Sequence, residues 1–299
     1  MYSPVVIFTF NRPSHLRRTL QALAANTLAV QTPLVAYSDA ARNTKDAPLV
    51  DEVRDILKNT TGFASVTVNN RERNIGLADS IVDGVSDVIR RYGRAVVLED
   101  DIIVSPYFLD YMNTALARYE HEERVMHIAA HMLRIPVMRL PESFFLRQSS
   151  CWGWATWERA WQHFHRQGEK FIRSFTPDDI IRFNLDGAYD YWGQLLANEN
   201  GLLKTWAVYW YACVFSQGGL CLHPRQSLAQ NIGFDGSGEN CAVGESDVPV
   251  FRTKSPSFYP DFFEEHGPAM RRYKRELRRA GPKTRWGVVQ NFFTGMFDA

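Results

Sequence analysis

Strand-like and helix-like patterns alternate along the first hundred residues of the chain. Four short apolar runs rich in β-branched residues are bounded by turn-forming residues, which is typical of buried strands. Between these runs apolar residues recur every three or four positions, as Leu16, Leu20 and Leu23 do, and this spacing predicts helices. Four alternations of strand and helix predict an α/β fold, a mostly parallel sheet with helices on both faces. The predicted strands cover residues 4–10, 33–38, 64–68 and 94–98.

The last of these strands runs directly into three carboxylates, Glu99, Asp100 and Asp101. Ligands of open α/β sheets bind outside the carboxyl ends of the strands. Three adjacent acids repel one another unless a cation or several donors compensate them, and carboxylates suit Mg²⁺ or Mn²⁺, which often bridge to phosphate. The first hypothesis is therefore a divalent metal that carries a phosphorylated substrate. The alternative is that Glu99 and Asp100 cap the next helix or form a solvated turn.

A further acid, Asp39, follows the strand at 33–38. It could accept hydrogen bonds from a ribose or a base, or it could be a turn or N-cap residue. Neither GxGxxG nor GxxxxGK[ST] occurs in the first hundred residues, which disfavours dinucleotide enzymes and P-loop enzymes.

Beyond residue 120 the pattern is looser, and aromatic residues and glycines stand out. Four tryptophans fall between residues 152 and 161. Trp157 and Trp161 are four apart, which predicts one helix face, whereas Trp152 and Trp154 flank a glycine and are candidates for a pocket wall. Residues 227–238 form a glycine-rich polar stretch that predicts either a mobile lid or a plain surface turn.

Composition narrows the class of protein. The chain has 299 residues, 45% hydrophobic and 22% charged, with a net charge of +1, so there is no global case for nucleic-acid binding. Its four cysteines have no metal-type spacing and are expected to be reduced thiols. The sequence shows neither a secretory signal pattern nor an apolar run of membrane-spanning length, which predicts a cytoplasmic protein.

Residues 262–299 are basic and then aromatic, ending in a stretch that includes Trp286, Phe292 and Phe293. This order is typical of an interfacial membrane helix that prefers anionic lipid, which would place the protein peripherally at the inner face of the cell membrane. The alternative is a solvated helix whose apolar end docks on the domain.

Six stretches of the chain stand out together: residues 9–13, Ser38-Asp39, residues 74–77, residues 98–101, residues 152–157 and residues 231–238. In this order they resemble bacterial glycosyltransferases of the GT-A fold that are family-2-like and related to N-acetylglucosaminyltransferase I. The resemblance covers about residues 4–240 and implies a Rossmann-like sheet with a nucleotide-sugar-binding half at 1–105 and an acceptor-binding half at 106–261, followed by the tail at 262–299.

The resemblance implies transfer of a sugar from a nucleoside diphosphate sugar, with Mn²⁺ or Mg²⁺ as cofactor. Glu99-Asp100-Asp101 would be the DxD-like motif, with Asp101 as the metal ligand and Asp100 nearer the ribose. The tryptophan motif and the 231–238 loop would close over donor and acceptor. The remaining residues that the resemblance assigns to donor binding are Thr9, Asn11, Arg12, Asp39, Asn74 and Gly76, and those assigned to the acceptor or lid are Trp152, Trp154, Asn231 and Gly233.

The sequence departs from this family at the general base. Related inverting enzymes carry an aspartate in a segment that matches residues 206–210, where this chain has no acid. An inverting transfer needs a base within hydrogen-bond reach of the acceptor hydroxyl, and Asp190, Glu199 and Asp235 are candidates. A retaining mechanism or a shifted alignment would also account for the difference.

The expected acceptor is a saccharide or a lipid-linked glycan in bacterial surface polysaccharide or lipopolysaccharide synthesis. Two other functions stay open. A sugar-phosphate nucleotidyltransferase also uses a strand-end acid and Mg²⁺, but it usually has a glycine-rich basic loop where this chain has Asn11-Arg12-Pro13. A catalytically degenerate module that only binds nucleotide or glycan would explain the missing aspartate.

Overall fold

A mixed sheet of eight strands runs through the part of the chain that the structure, a computed structural model, describes, namely residues 2–235 and 254–280. The strands of this sheet are β1 Val5–Thr9, β2 Pro33–Ser38, β3 Ser65–Asn70, β4 Arg94–Glu99, β6 Val125–Ala129, β7 Ser143–Leu146, β8 Trp154–Trp157 and β9 Leu220–Pro224, and the two strands outside it are β5 Ile102–Val104 and β10 Ala229–Asn231. Their order in the sheet is β3-β2-β1-β4-β8-β6-β9-β7.

The first four strands of the sheet are all parallel, which confirms the prediction made from the alternating pattern. β1 lies between β2 and β4, with Val5 opposite Leu34 on one side and Val96 on the other. β1 and β2 are buried along their whole length, as continuous apolar strands of a covered parallel sheet should be. The carboxyl ends of β1, β2 and β4 therefore meet at one edge of the sheet.

The second half adds antiparallel pairs to this sheet. β8 is antiparallel to both β4 and β6, so β6 runs in the same direction as β4. β9 is parallel to β6, and β7 is antiparallel to β9 at the outer edge. Parallel pairs still predominate, and the predicted α/β class, with a Rossmann-like, mostly parallel sheet, is confirmed.

Helices cover both faces of the sheet. One apolar layer contains residues of α1, α2 and α4, and the other contains residues of α3, α5, α8 and α9. The helices are α1 Pro13–Ala24, α2 Ala47–Lys58, α3 Leu77–Tyr92, α4 Phe108–Arg118, α5 Glu158–Trp161, α6 Gly168–Ser174, α7 Pro177–Phe183, α8 Tyr191–Glu199, α9 Ala207–Ser216 and α10 Gly267–Ala280.

Two local predictions are wrong. Trp157 is the last residue of β8 and Trp161 the last of α5, so they do not share a helix face and instead lie in the two different apolar layers. The stretch predicted as a loop from residue 227 contains β10, which pairs antiparallel with β5. Residues 236–238 of that stretch lie outside the described residues.

The basic segment near the end of the chain folds onto the domain as α10. Its buried residues Ala269, Met270 and Tyr273 pack in an apolar cluster with Phe144 and Leu146. Residues 281–299, which contain the predicted aromatic segment, lie outside the described part. None of the helices described in 2–235 and 254–280 is long and apolar enough to cross a bilayer. Of the cysteines, Cys151, Cys213 and Cys221 are free thiols, and Cys241 is not described.

Candidate active site

The three predicted acids lie at the carboxyl edge of the parallel strands. Glu99 ends β4 and is opposite Phe8 of the neighbouring β1, while Asp100 and Asp101 form the turn between β4 and β5. Both aspartates are only 3% exposed. A solvated turn, the alternative considered for these acids, is therefore excluded by their burial.

Arg12 joins the two aspartates. It directly precedes α1, and its guanidinium forms ion pairs with Asp100 Oδ1 and, at 2.9 Å, with Asp101 Oδ2. The second oxygen of Asp100 accepts the backbone N–H of Phe10 at 3.3 Å. One half-buried cation thus compensates two of the three clustered carboxylates, which leaves the cluster with an excess of negative charge.

One carboxylate oxygen in this cluster has no partner among residues 2–235 and 254–280. Asp101 Oδ1 is buried and makes no hydrogen bond to any residue in these ranges. An unpaired buried carboxylate oxygen is costly, since burial removes water that would otherwise solvate it. This atom is the strongest sign that the cluster serves a ligand.

The chain after β10 lies directly against the acids. Ile232 donates its backbone N–H to the Asp101 carbonyl at 2.8 Å. A Cβ on Gly233 would overlap Asp101 Oδ2 and would lie 2.9 Å from Arg12 Nη1, so only glycine fits at this position. Asn231, whose side chain accepts the N–H of Gly233 at 2.7 Å, holds the segment in this shape.

Burial raises the pKa of two of the acids, Glu99 and Asp100. It raises the pKa of Glu99 to about 8, with the charges of Asp101 and Asp100 adding to the rise. It also raises the pKa of Asp100 to about 6, although the charge of Arg12 opposes this. The cluster therefore favours any ligand that brings positive charge.

The other residues predicted to bind the donor lie at the same edge and are joined by hydrogen bonds. Asp39 accepts the backbone N–H groups of Ile75 and Gly76, at 3.1 and 2.9 Å, and Asn74 donates to the Ala40 carbonyl at 2.7 Å. Asp39 therefore acts as a turn residue that fixes the 74–76 loop, one of the two roles considered for it. Its contact with a ribose or base stays a prediction.

Thr9 is the last residue of β1, and Asn11 follows it by two residues. The Thr9 hydroxyl donates to the Tyr37 carbonyl at 3.3 Å, and the Asn11 amide donates to Asp46 at 2.8 Å. These bonds connect β1 to β2 and to the loop before α2. Their role in nucleotide binding also stays a prediction.

The three candidate bases differ in position. Asp190 is the N-cap of α8 and accepts the Gly193 N–H at 2.8 Å. Glu199, at the end of the same helix, accepts the Tyr209 hydroxyl at 2.6 Å. Both have structural partners away from the acidic cluster.

Asp235 is the candidate that the structure places beside the cluster. It is two residues beyond Gly233, its side chain is half exposed, and its Oδ2 is 3.1 Å from His15 Nε2. His15 was not among the residues predicted from the sequence. Its position three residues after Arg12, on the same side of the first turn of α1, was the signal that could have found it.

The two tryptophans proposed for a pocket wall differ in burial and position. Trp152 is half-buried and contacts Phe234 edge-on, at 5.6 Å between ring centroids, so it does lie beside the 231–235 segment. Trp154 is 1% exposed and stacks on His127 and Trp206 in the core. Because β8 is covered on both faces, Trp154 does not line a surface pocket, and that prediction is wrong.

A divalent metal fits this site only with ligands from a substrate. Within residues 2–235 and 254–280, no group of three or more His, Cys, Asp and Glu side chains is arranged to hold a metal ion. The partnerless oxygen of Asp101 is nevertheless a hard ligand of the right kind. Mg²⁺ sites often use one or two carboxylates and complete their coordination with water and substrate phosphates, which matches this donor set.

No protein-family model matches the sequence, and no curated protein does. Solved structures are similar to part of it. S. aureus TarS 1-349 in complex with UDP-GlcNAc is 14% identical over 59% of this chain and 49% of that chain, with a TM-score of 0.37. The mannosyltransferase PcManGT from Pyrobaculum calidifontis, in complex with GDP-Man and Mn²⁺, is 11% identical over 73% of this chain and 70% of that chain, with a TM-score of 0.39.

A second structure of S. aureus TarS matches over 60% of this chain and 31% of that chain, with a TM-score of 0.35. This chain therefore spans a third to a half of the TarS chains that it matches. With TM-scores below 0.5, these similarities do not establish a shared activity.

Proposed function

We propose that this protein is a metal-dependent glycosyltransferase that moves a sugar from a nucleoside diphosphate sugar to a saccharide or lipid-linked acceptor. The observation that carries the proposal is the partnerless, buried Oδ1 of Asp101, at the carboxyl end of β4 and beneath Gly233. A strand-end carboxylate that lacks a partner inside an acidic cluster suits a cation bound to phosphate.

Each residue of the cluster has a defined task in this proposal. Asp101 would hold Mn²⁺ or Mg²⁺, which when bound neutralises the charge that builds on the diphosphate leaving group. Arg12 fixes the positions of Asp100 and Asp101 and offsets part of their charge. The segment from Asn231 to Asp235 covers the acids and keeps water from them.

The donor and the acceptor would occupy different sides of this cluster. The nucleoside would lie along the carboxyl ends of β1 and β2, against Thr9, Asn11 and the Asp39 turn. The acceptor would lie near Trp152 and Asp235. Asp235, which is half exposed and held by His15, would accept the proton from the acceptor hydroxyl if the transfer inverts the anomeric centre.

The biological setting that we propose is the synthesis of a bacterial surface polysaccharide or lipopolysaccharide, in the lineage that includes N-acetylglucosaminyltransferase I. Its support is the set of sequence motifs, above all Glu99-Asp100-Asp101 and the segment that begins at Asn231. A lipid-linked acceptor would bring the protein to a membrane surface.

A thermal-shift panel tests the proposal. UDP, GDP, CDP and dTDP are added with and without Mn²⁺ to the wild type, to Asp101→Asn and to Asp178→Asn, an exposed aspartate at the start of α7 that serves as matched control. A ligand that binds only the folded state at a hundredfold excess over Kd adds about 2.7 kcal/mol of stability. We expect one nucleotide to stabilise the wild type and Asp178→Asn with metal only, and to leave Asp101→Asn unchanged.

The absence of any nucleotide-dependent shift would contradict the proposal. If a nucleotide binds but the matching nucleoside diphosphate sugar is never hydrolysed or transferred, the protein is a binding module. If the protein instead makes a nucleoside diphosphate sugar from a nucleoside triphosphate and a sugar phosphate, it is a nucleotidyltransferase.

A further inference from the structure

Positive charge is concentrated in two segments of the chain, residues 131–140 and 267–280. Together they contain eight Arg and Lys and one Glu, whereas the whole chain has 34 basic and 33 acidic residues. The rest of the chain is therefore net acidic. Such an asymmetry within a nearly neutral protein indicates a surface that attracts an anionic partner.

The helix α10 turns its charged side outward. Its apolar residues Ala269, Met270 and Tyr273 are buried against the domain. Arg271, Arg275 and Arg278 follow the i, i+4, i+7 spacing of a single stripe on the opposite side, and all three are exposed. The helix thus uses its apolar face for the fold and offers a cationic face to solvent.

The segment 134–139 lies beside this helix. Arg272 Nη1 donates to the carbonyls of Pro136 and Met138, at 2.6 and 2.8 Å, which ties the segment to the flank of α10. Met138 is 75% exposed, and the chain turns directly after it because Arg139 has a φ of 60°. A large apolar side chain therefore projects from a surface whose other members are arginines.

This surface borders the candidate active site. The segment follows β6, whose carboxyl end is at the same edge of the sheet as that of β4. At its start, His131 contacts Trp152, at 4.5 Å between ring centroids, and Trp152 contacts Phe234 in the segment that covers Asp101. Two ring contacts thus join the segment that covers Asp101 to the beginning of the basic segment.

We propose that Arg134, Met138, Arg139, Arg271 and Arg275, here called the basic surface, dock on an anionic lipid bilayer. The arginines bind the phosphate headgroups, and Met138 enters the boundary between headgroups and acyl chains. The acceptor would then be a lipid-linked glycan that reaches the site across Trp152. This last statement rests on the proposed function, whereas the docking itself does not.

A bilayer fits this surface better than two other occupants. A nucleic acid would use the arginines but would leave the projecting Met138 without a partner. The segment 281–299 of the same chain itself carries Lys283 and Arg285, so its charges would be repelled by the basic surface.

Vesicle flotation with the full chain tests the proposal. The wild type, Arg271→Gln/Arg275→Gln, Met138→Ser and the control Arg17→Gln/Arg18→Gln are mixed with phosphatidylcholine vesicles that contain or lack phosphatidylglycerol. The control removes two exposed arginines from α1 and matches the charge change. We expect the wild type and the control to bind only the anionic vesicles, and added salt to release them.

The two test variants have separate expected effects. Loss of Arg271 and Arg275 should weaken binding about 25-fold, about fivefold for each basic residue near an anionic membrane. Met138→Ser should weaken it about tenfold, as expected when roughly half of the apolar transfer free energy of Met is lost. The weakening caused by Met138→Ser should persist at higher salt, whereas that caused by Arg271→Gln/Arg275→Gln should not.

Four results would overturn the proposal. The first three are equal binding to neutral vesicles, equal losses in the test and control double variants, and binding to an oligonucleotide but not to vesicles. The fourth is unchanged binding of Arg271→Gln/Arg275→Gln, which would show that another part of the chain, such as 281–299, carries the docking. None of these measurements uses a nucleotide, so they stand or fall separately from the thermal-shift panel.

Discussion

Replacing Arg12 with Gln removes the single cation that holds two buried aspartates. The side chains of Asp100 and Asp101 are 4% and 5% exposed, and that of Arg12 is 16% exposed. Removing one partner of a buried ion pair leaves an uncompensated charge and typically costs about 3–5 kcal/mol. We expect Arg12→Gln to lower the free energy of unfolding by about this amount near pH 8.

The cost should depend on pH in a defined direction. Burial already raises the pKa of Asp100 to about 6 against the opposing charge of Arg12, so the variant should raise it further. An acid with a higher pKa in the folded state binds more protons there than in the unfolded state, and stability is lost as pH rises through this window. The effect of Arg12→Gln should therefore be smaller near pH 5, where Asp100 of the variant takes up a proton, than near pH 8.

Urea denaturation followed by tryptophan fluorescence measures this at both pH values. The control is Arg17→Gln, which breaks an exposed ion pair with Glu52 whose side chains are 55% and 44% exposed. Such a pair contributes about 0.5 kcal/mol. The reasoning is refuted if Arg12→Gln costs no more than the control, or if its cost is the same at both pH values.

Three further predictions follow from the structure. Gly233→Ala should lower the free energy of unfolding by about 1–3 kcal/mol, because the added methyl group overpacks against Asp101, and it should abolish the metal-dependent thermal shift. A variant that keeps the shift would contradict the close approach of Gly233 to Asp101. Burial lowers the pKa of His127 to about 3 and that of His223 to about 4, so the stability that each neutral imidazole contributes is present above its unfolded pKa and is lost as pH falls below that value. The loss is about 2 kcal/mol for each histidine at pH 5. In urea titrations the stability difference between the wild type and His127→Gln should therefore shrink by this amount from pH 7 to pH 5, and a constant difference would contradict the lowered pKa of His127. Trp154→Ala should destabilise the protein by about 3–5 kcal/mol in the same assay, because it removes a fully buried side chain. Unchanged stability together with a raised KM for the acceptor would instead support a role of Trp154 as a pocket wall.

Much of the fold could be predicted because buried parallel strands have a distinctive composition. β2 begins and ends at the predicted residues, β1 is shorter than predicted by one residue at each end, and β4 is longer by one residue at its carboxyl end. The pattern fails at Trp157 and Trp161 because β8 is four residues long and buried on both faces. Such a strand has no alternation of apolar and polar residues that would distinguish it from a helix.

The position of the acidic cluster could be predicted, but its partners could not. Arg12 and Asp100 are 88 residues apart in sequence, and no local pattern reports a contact over that distance. Asp190 and Glu199 became candidate bases only because they are acids, since nothing in the sequence shows that a helix cap and a tyrosine hydroxyl already engage them.

The pairing of β5 with β10 has a consequence for how the protein is made. Ile102 and Asn231, which face each other in this ribbon, are separated by much of the chain, so a ribosome must synthesise all the residues between them before the cover over Asp101 can form. A nascent chain that ends near residue 105 would carry the acids without the backbone of Ile232 and Gly233 against them. Residues 1–105 are therefore expected to mature only after translation has passed residue 235, and chaperones would meet them with the acids open to solvent.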